Sequence, residues 1–149
     1  MSEFHSKKTY LNMEQFMRLA IEFEAESAAF YRSMQQPGLE PEVRDLLQLL
    51  ESQEREHENI LRNYDVDPRD PVMIQFAPEL SLSMPSPPEN PGFAEMLRLA
   101  IAREEKSARI YRVAAEMTVA GFRELLEGLA GFEEEHERRL RGLQKRKAL

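Results

Sequence analysis

The chain has 149 residues, 42% of them apolar and 32% charged, with a formal net charge of −7. That composition suits one soluble helical domain, and the acidic balance argues against a phosphate-binding surface for nucleic acid. With no cysteine, disulfides and thiolate metal sites are excluded, the Cys-x-x-Cys pairs of a rubredoxin-type iron centre included, so any bound metal must take oxygen and nitrogen ligands.

The opening MSEFHSKKTY lacks the apolar core of a signal peptide, and no apolar run reaches the length that spans a bilayer; a cytoplasmic location without membrane contact is expected. Residues 1–10 carry no periodicity and read as a frayed end, with His5 a solvated histidine. From Asn12, a good N-cap with Gln15 three residues on, Phe16, Ala20, Phe23, Ser27, Tyr31 and Met34 recur at helical steps. Glu24 falls inside that stripe, whereas Glu22 and Glu26 point elsewhere. Pro37-Gly38 stops this first helix, and Pro41 starts a second with Val43, Leu46, Leu47, Leu50, Glu54, His57, Leu61 and Tyr64 on one face.

Seven of the nine prolines, Pro68, Pro71, Pro78, Pro85, Pro87, Pro88 and Pro91, then fall between residues 65 and 91. A single helical hairpin is too small to bury its apolar face alone, so this stretch reads as a crossover running the length of a bundle, with Val72, Met73, Ile74 and Phe76 against the helices. It sets the third helix, capped by Asn90-Pro91, parallel to the second. A short turn at 118–121 leads into a fourth helix from about Phe122. The basic cluster Arg138, Arg139, Arg141, Lys145, Arg146 and Lys147 lies in the last turns of that helix, where cations complement the helix dipole. The expected organisation is all-α: one domain over 1–149, with hairpins at 11–64 and 91–145 joined by a Pro-rich crossover at 65–90.

The two hairpins are copies. RLAIEFEAESAAFYR at 18–32 recurs as RLAIAREEKSARIYR at 98–112, placing Glu24 on Glu104, Ser27 on Ser107 and Tyr31 on Tyr111. LLQLLESQEREHENILR at 46–62 recurs as LLEGLAGFEEEHERRLR at 125–141, placing Glu54 on Glu133 and His57 on His136. Each copy offers a Glu and then a Glu-x-x-His, whose carboxylate and imidazole share one helix face. Two of the chain's three histidines close these motifs. Counted from the turn, Glu24 and Glu54 both lie roughly 20 Å along their helices at 1.5 Å per residue, so they meet at one level, as do Glu104 and Glu133.

One Glu-x-x-His arises readily by chance in Glu-rich helices. Two in register, each inside an apolar stripe and each facing a matching Glu, point to a metal site. Four ionised carboxylates in a bundle interior would repel one another and cost several kcal/mol each in desolvation. Two divalent cations cancel their charge, with one Glu and one His terminal to each metal and Glu54 and Glu133 available as bridges. The remaining glutamates, such as Glu51, Glu56, Glu105, Glu134 and Glu135, read as solvated-face charges.

The segments AIEFEAESAAFY, LESQEREHENIL, AIAREEKSARIY and LAGFEEEHERRL resemble the rubrerythrin branch of the ferritin-like superfamily over roughly residues 11–143. The resemblance implies a ferritin-like four-helix bundle holding two iron ions, with Mn or Zn as alternatives, through Glu24, Glu54, His57, Glu104, Glu133 and His136. It assigns Tyr31 and Tyr111 to the positions just behind the ligands. It further implies reduction of peroxide or O2 with electrons from a separate donor protein, or else non-catalytic metal binding or iron handling, and a small oligomer such as a homodimer. Two departures stand out: the chain ends after the fourth helix, without a rubredoxin domain, and Ser107 occupies the place of an additional family carboxylate. The remaining symmetric set is similar to the ferroxidase centre of bacterioferritins, but no fifth helix follows to support a cage.

Overall fold

Helical periodicity in the sequence becomes four long helices in the computed structural model, which describes residues 9–67, 73–76 and 89–149. In chain order these are α1 (Met13–Met34), α2 (Pro41–Arg62), α3 (Phe93–Glu116) and α4 (Ala120–Arg146), with short strands β1 (Thr9–Asn12) before α1 and β2 (Met73–Phe76) between α2 and α3. His5, Val72 and the prolines from Pro68 to Pro88 lie outside the described residues, as does the side chain of Phe76.

Each helix boundary has a local cause. Asn12 caps α1 in a closed capping box: its Oδ1 accepts from the Gln15 N–H at 2.7 Å, and Gln15 Oε1 accepts from the Asn12 N–H at 2.9 Å. The α1–α2 turn carries Gly38 at φ 89°, a left-handed conformation that glycine adopts without steric cost. Pro41 then occupies the first turn of α2, where its missing N–H costs nothing. α3 starts later than its sequence implies: Gly92 is the N-cap, and Asn90, at φ 53°, makes the bend before it. Asparagine is one of the few residues that tolerates this region, so it serves as the turn rather than the cap. α4 starts earlier, at Ala120, with no side-chain cap and with Ala120 itself at φ 57°.

The helices pack as two antiparallel hairpins, α1 with α2 and α3 with α4, forming a four-helix bundle. The core divides into two apolar clusters, each fed by all four helices. One gathers Phe16 and Ala20, Leu61, Ile110 and Ala114, and Phe122, Leu126 and Ala130. The other gathers Tyr31 and Met34, Leu47 and Leu50, Leu97 and Ala100, and Leu140 and Leu143. The start of α2 therefore shares an end of the bundle with the start of α3, as a crossover along the bundle requires.

β1 and β2 add an element that the helical reading lacks. They pair antiparallel, with Leu11 opposite Ile74 and Tyr10 opposite Gln75. The end expected to fray is thus ordered from Thr9 onward. Ile74 is buried against the first cluster and Leu11 packs beside it, as expected of Ile74, whereas Met73 turns outward and is 48% exposed. Strand alternation sends neighbouring side chains to opposite faces, so only one of the pair can reach the helices.

Candidate metal centre

Between the two apolar clusters lies a polar layer. Glu24 and Glu54 are 0% exposed, Glu133 1%, Glu104 2%, His57 3% and His136 0%. Glu24 comes from α1, Glu54 and His57 from α2, Glu104 from α3, and Glu133 and His136 from α4, each held at this level by the apolar residues one turn either side. All six candidate ligands named by the repeat converge here. They form two overlapping groups, Glu24, Glu54, His57 and Glu133, and Glu54, Glu104, Glu133 and His136, in each of which one ligand atom per residue lies within 4.8 Å of the others. Glu54 and Glu133 belong to both groups. The cluster thereby resembles a di-metal carboxylate site.

Hydrogen bonds aim the carboxylates. Tyr31, on α1, donates to Glu104 Oε1 on α3, and Tyr111, on α3, donates to Glu24 Oε1 on α1 at 2.7 Å. In both glutamates the second oxygen, Oε2, is buried without a hydrogen-bond partner. Burial and the surrounding carboxylates push both phenols well above the usual tyrosine range, so they remain O–H donors. Ser107 donates to Glu133 Oε2 at 2.9 Å. Its counterpart in the first hairpin, Ser27, instead accepts from Arg103 Nη2 at 2.9 Å, and the guanidinium stacks 4.8 Å from the Phe23 ring centre. Both oxygens of Glu54 are left without a donor.

The imidazoles turn Nδ1 inward. His57 Nδ1 lies 3.1 Å from Glu133 Oε1 and 3.7 Å from both Glu24 Oε2 and Glu54 Oε1. His136 Nδ1 lies 3.0 Å from Glu54 Oε1 and 3.4 Å from Glu104 Oε1, yet makes no hydrogen bond. The rings are stacked, 5.9 Å apart and 11° from parallel.

Burial first, then mutual repulsion, drives Glu54 well above the usual carboxylate range and, with Glu104, lifts Glu133 to about 7. Burial likewise lifts Glu104 to about 7 against the opposing pull of its hydrogen bonds. Burial pushes His57 down, but hydrogen bonds and charge from Glu133 and Glu24 outweigh it and raise the imidazole to about 10; in His136 burial prevails and the pKa falls. The layer concentrates buried acids and unpartnered carboxylate oxygens, and cations at the two groups would satisfy both excesses.

Helical spacing and the internal repeat singled out these six residues, and the family resemblance named both tyrosines. Neither identified Gln53, which stands immediately before the first Glu-x-x-His and whose Oε1 lies 2.7 Å from His136 Nε2, or Arg103. Both sit where the two repeats differ, Gln53 opposite Phe132 and Arg103 opposite Phe23, and such mismatches are the only signal the sequence carries. The glutamates read as surface charges stay out of the cluster; the least exposed, Glu51, is bonded by Gln35 and Arg55. No helix among the described residues is long and apolar enough to cross a membrane. No protein-family model, curated protein or solved structure matches the chain.

Proposed function

We propose that this chain is a di-iron carboxylate oxidoreductase of rubrerythrin and ferritin type, reducing peroxide or O2 with electrons from a separate donor protein. The observation that carries the reading is the pair of overlapping four-ligand groups sharing Glu54 and Glu133. Glu24 and His57 would hold one metal and Glu104 and His136 the other. Mostly oxygen ligation with one imidazole each suits Fe or Mn and admits Zn. When bound, the metal pair would supply the two electrons that reduce hydrogen peroxide, with two protons, to water.

The chain's own residues hold the ligands and shield them. Tyr31 and Tyr111 fix one oxygen of each terminal carboxylate from the opposite hairpin, leaving the other for a cation. Ser107 steadies Glu133, while Glu54, bound by no donor, would be free to reorient toward either cation. The apolar clusters above and below exclude bulk water from the layer. The electrons would come from a separate donor protein.

Elemental analysis of protein from its native host is expected to give two metals per chain; a large multiple of iron would indicate storage. Stopped-flow mixing of the Fe(II) protein with peroxide and, separately, with O2 tests the reaction. Oxidation faster than that of free Fe(II) with one of them supports the enzyme. No acceleration with either leaves a metal-holding protein and sinks the oxidoreductase reading.

A further inference from the structure

The repeats place equivalent ligands in both halves, but not equivalent neighbours. Gln53 and Phe132 occupy the same repeat position, one residue before each Glu-x-x-His, and each faces the histidine of the other hairpin. Gln53 puts its Oε1 2.7 Å from His136 Nε2. Phe132 offers His57 only a ring, its centre 5.0 Å from that of the imidazole, and is itself 50% exposed. Among the described residues no side chain accepts from His57 Nε2.

An acceptor on one ring nitrogen decides which nitrogen carries the proton, and hence which lone pair faces a metal. We propose that Gln53 is a positioning residue that makes the two metal positions unequal. By accepting the Nε2 proton of His136, it fixes the tautomer whose Nδ1 lone pair enters the cluster, so the Glu104 and His136 position fills first. The Glu24 and His57 position, whose histidine has no acceptor at Nε2 and has its Nδ1 against Glu133 instead, fills second. The inward Nδ1 of His136, buried and without a hydrogen bond, fits an atom already oriented for a cation. This inference rests on the di-metal reading of the site.

Titration of the apo protein with Co(II), followed by calorimetry and by visible absorption of the bound ion, tests it. Two steps are expected in the wild type, separated by about 10- to 100-fold in affinity, the usual effect of a partner behind a metal-bound histidine. Gln53→Leu should weaken the tight step by that factor, and Gln53→Glu, which restores an acceptor, should recover it. Phe132→Gln, at a half-exposed position, should tighten the weak step. His136→Ala should remove the tight step and His57→Ala the weak one, assigning each to its position. Two Co(II) ions bound with one affinity by the wild type, or two steps that Gln53→Leu leaves unmoved, overturn the role of Gln53 while leaving the di-metal site in place. Failure of the wild type to take up Co(II) at all overturns the site and this inference together.

Discussion

Glu54 has both carboxylate oxygens buried without a donor, and burial drives its pKa well above the usual range. Folding the metal-free chain at neutral pH must therefore protonate it or bury its charge, and either costs free energy. Glu54→Gln removes that cost at constant volume, so it should stabilise the apo protein by about 1–3 kcal/mol. The same change removes one of the two anions common to both metal positions, so the rise in melting temperature on adding Mn(II) should shrink sharply. His57→Ala removes a donor that belongs to one position only and should halve the metal stoichiometry. Thermal melts and metal counting on the three proteins check this. A Glu54→Gln variant that still gains the full metal-induced stabilisation contradicts the bridging role. The candidate ligands were legible in the sequence because a buried carboxylate interrupts an apolar stripe at fixed spacing. Gln53 was not, because its partner lies on another helix and its own position is only half-buried.

Among the elements, the four helices were legible for the same reason: their apolar period persists over 22 to 27 residues. β1 and β2 have four residues each and owe their existence to one another across 60 residues of sequence, with Leu11 and Ile74 on the buried face, so no local pattern announces them. The caps lend themselves to measurement. Asn12→Ala opens both hydrogen bonds of the capping box and should cost about 1 kcal/mol in denaturant unfolding. At the other boundary, Ala120 adopts φ 57°, where its Cβ crowds the backbone. Ala120→Gly should relieve that strain and stabilise the protein by about 0.5–1 kcal/mol, net of glycine's greater freedom in the unfolded chain. A destabilised Ala120→Gly variant would mean that the turn is not strained.

Across the whole molecule, the polar layer couples stability to pH. Glu104 and Glu133 rise from 4.5 to about 7 on folding without metal, and Glu54 rises further. The folded state then holds protons that the unfolded chain has released. Their stabilisation is present below about pH 4.5 and is lost as pH climbs through 7. His57, raised to about 10, acts in the same sense at higher pH, whereas the lowered pKa of His136 weakens the fold as pH falls below 6.5. Three carboxylates outweigh one histidine, so the apo melting temperature should fall from pH 5 to pH 8. Metal requires the same carboxylates deprotonated, and its stabilising effect should grow over that interval. Melts in EDTA and in Mn(II) at each pH check both slopes, and an apo melting temperature that rises with pH would refute the assignment.

The sharing of Glu54 and Glu133 also divides each position unevenly between the hairpins. Glu24, Glu54 and His57 belong to the first and take Glu133 from the second; Glu104, Glu133 and His136 belong to the second and take Glu54 from the first. A half-molecule thus carries three of the four donors of one position and completes neither. On the di-metal reading, metal occupancy would be a coincidence detector, reporting that both halves are present and correctly docked. It would do so equally for two separate polypeptides or for one chain cut within the crossover.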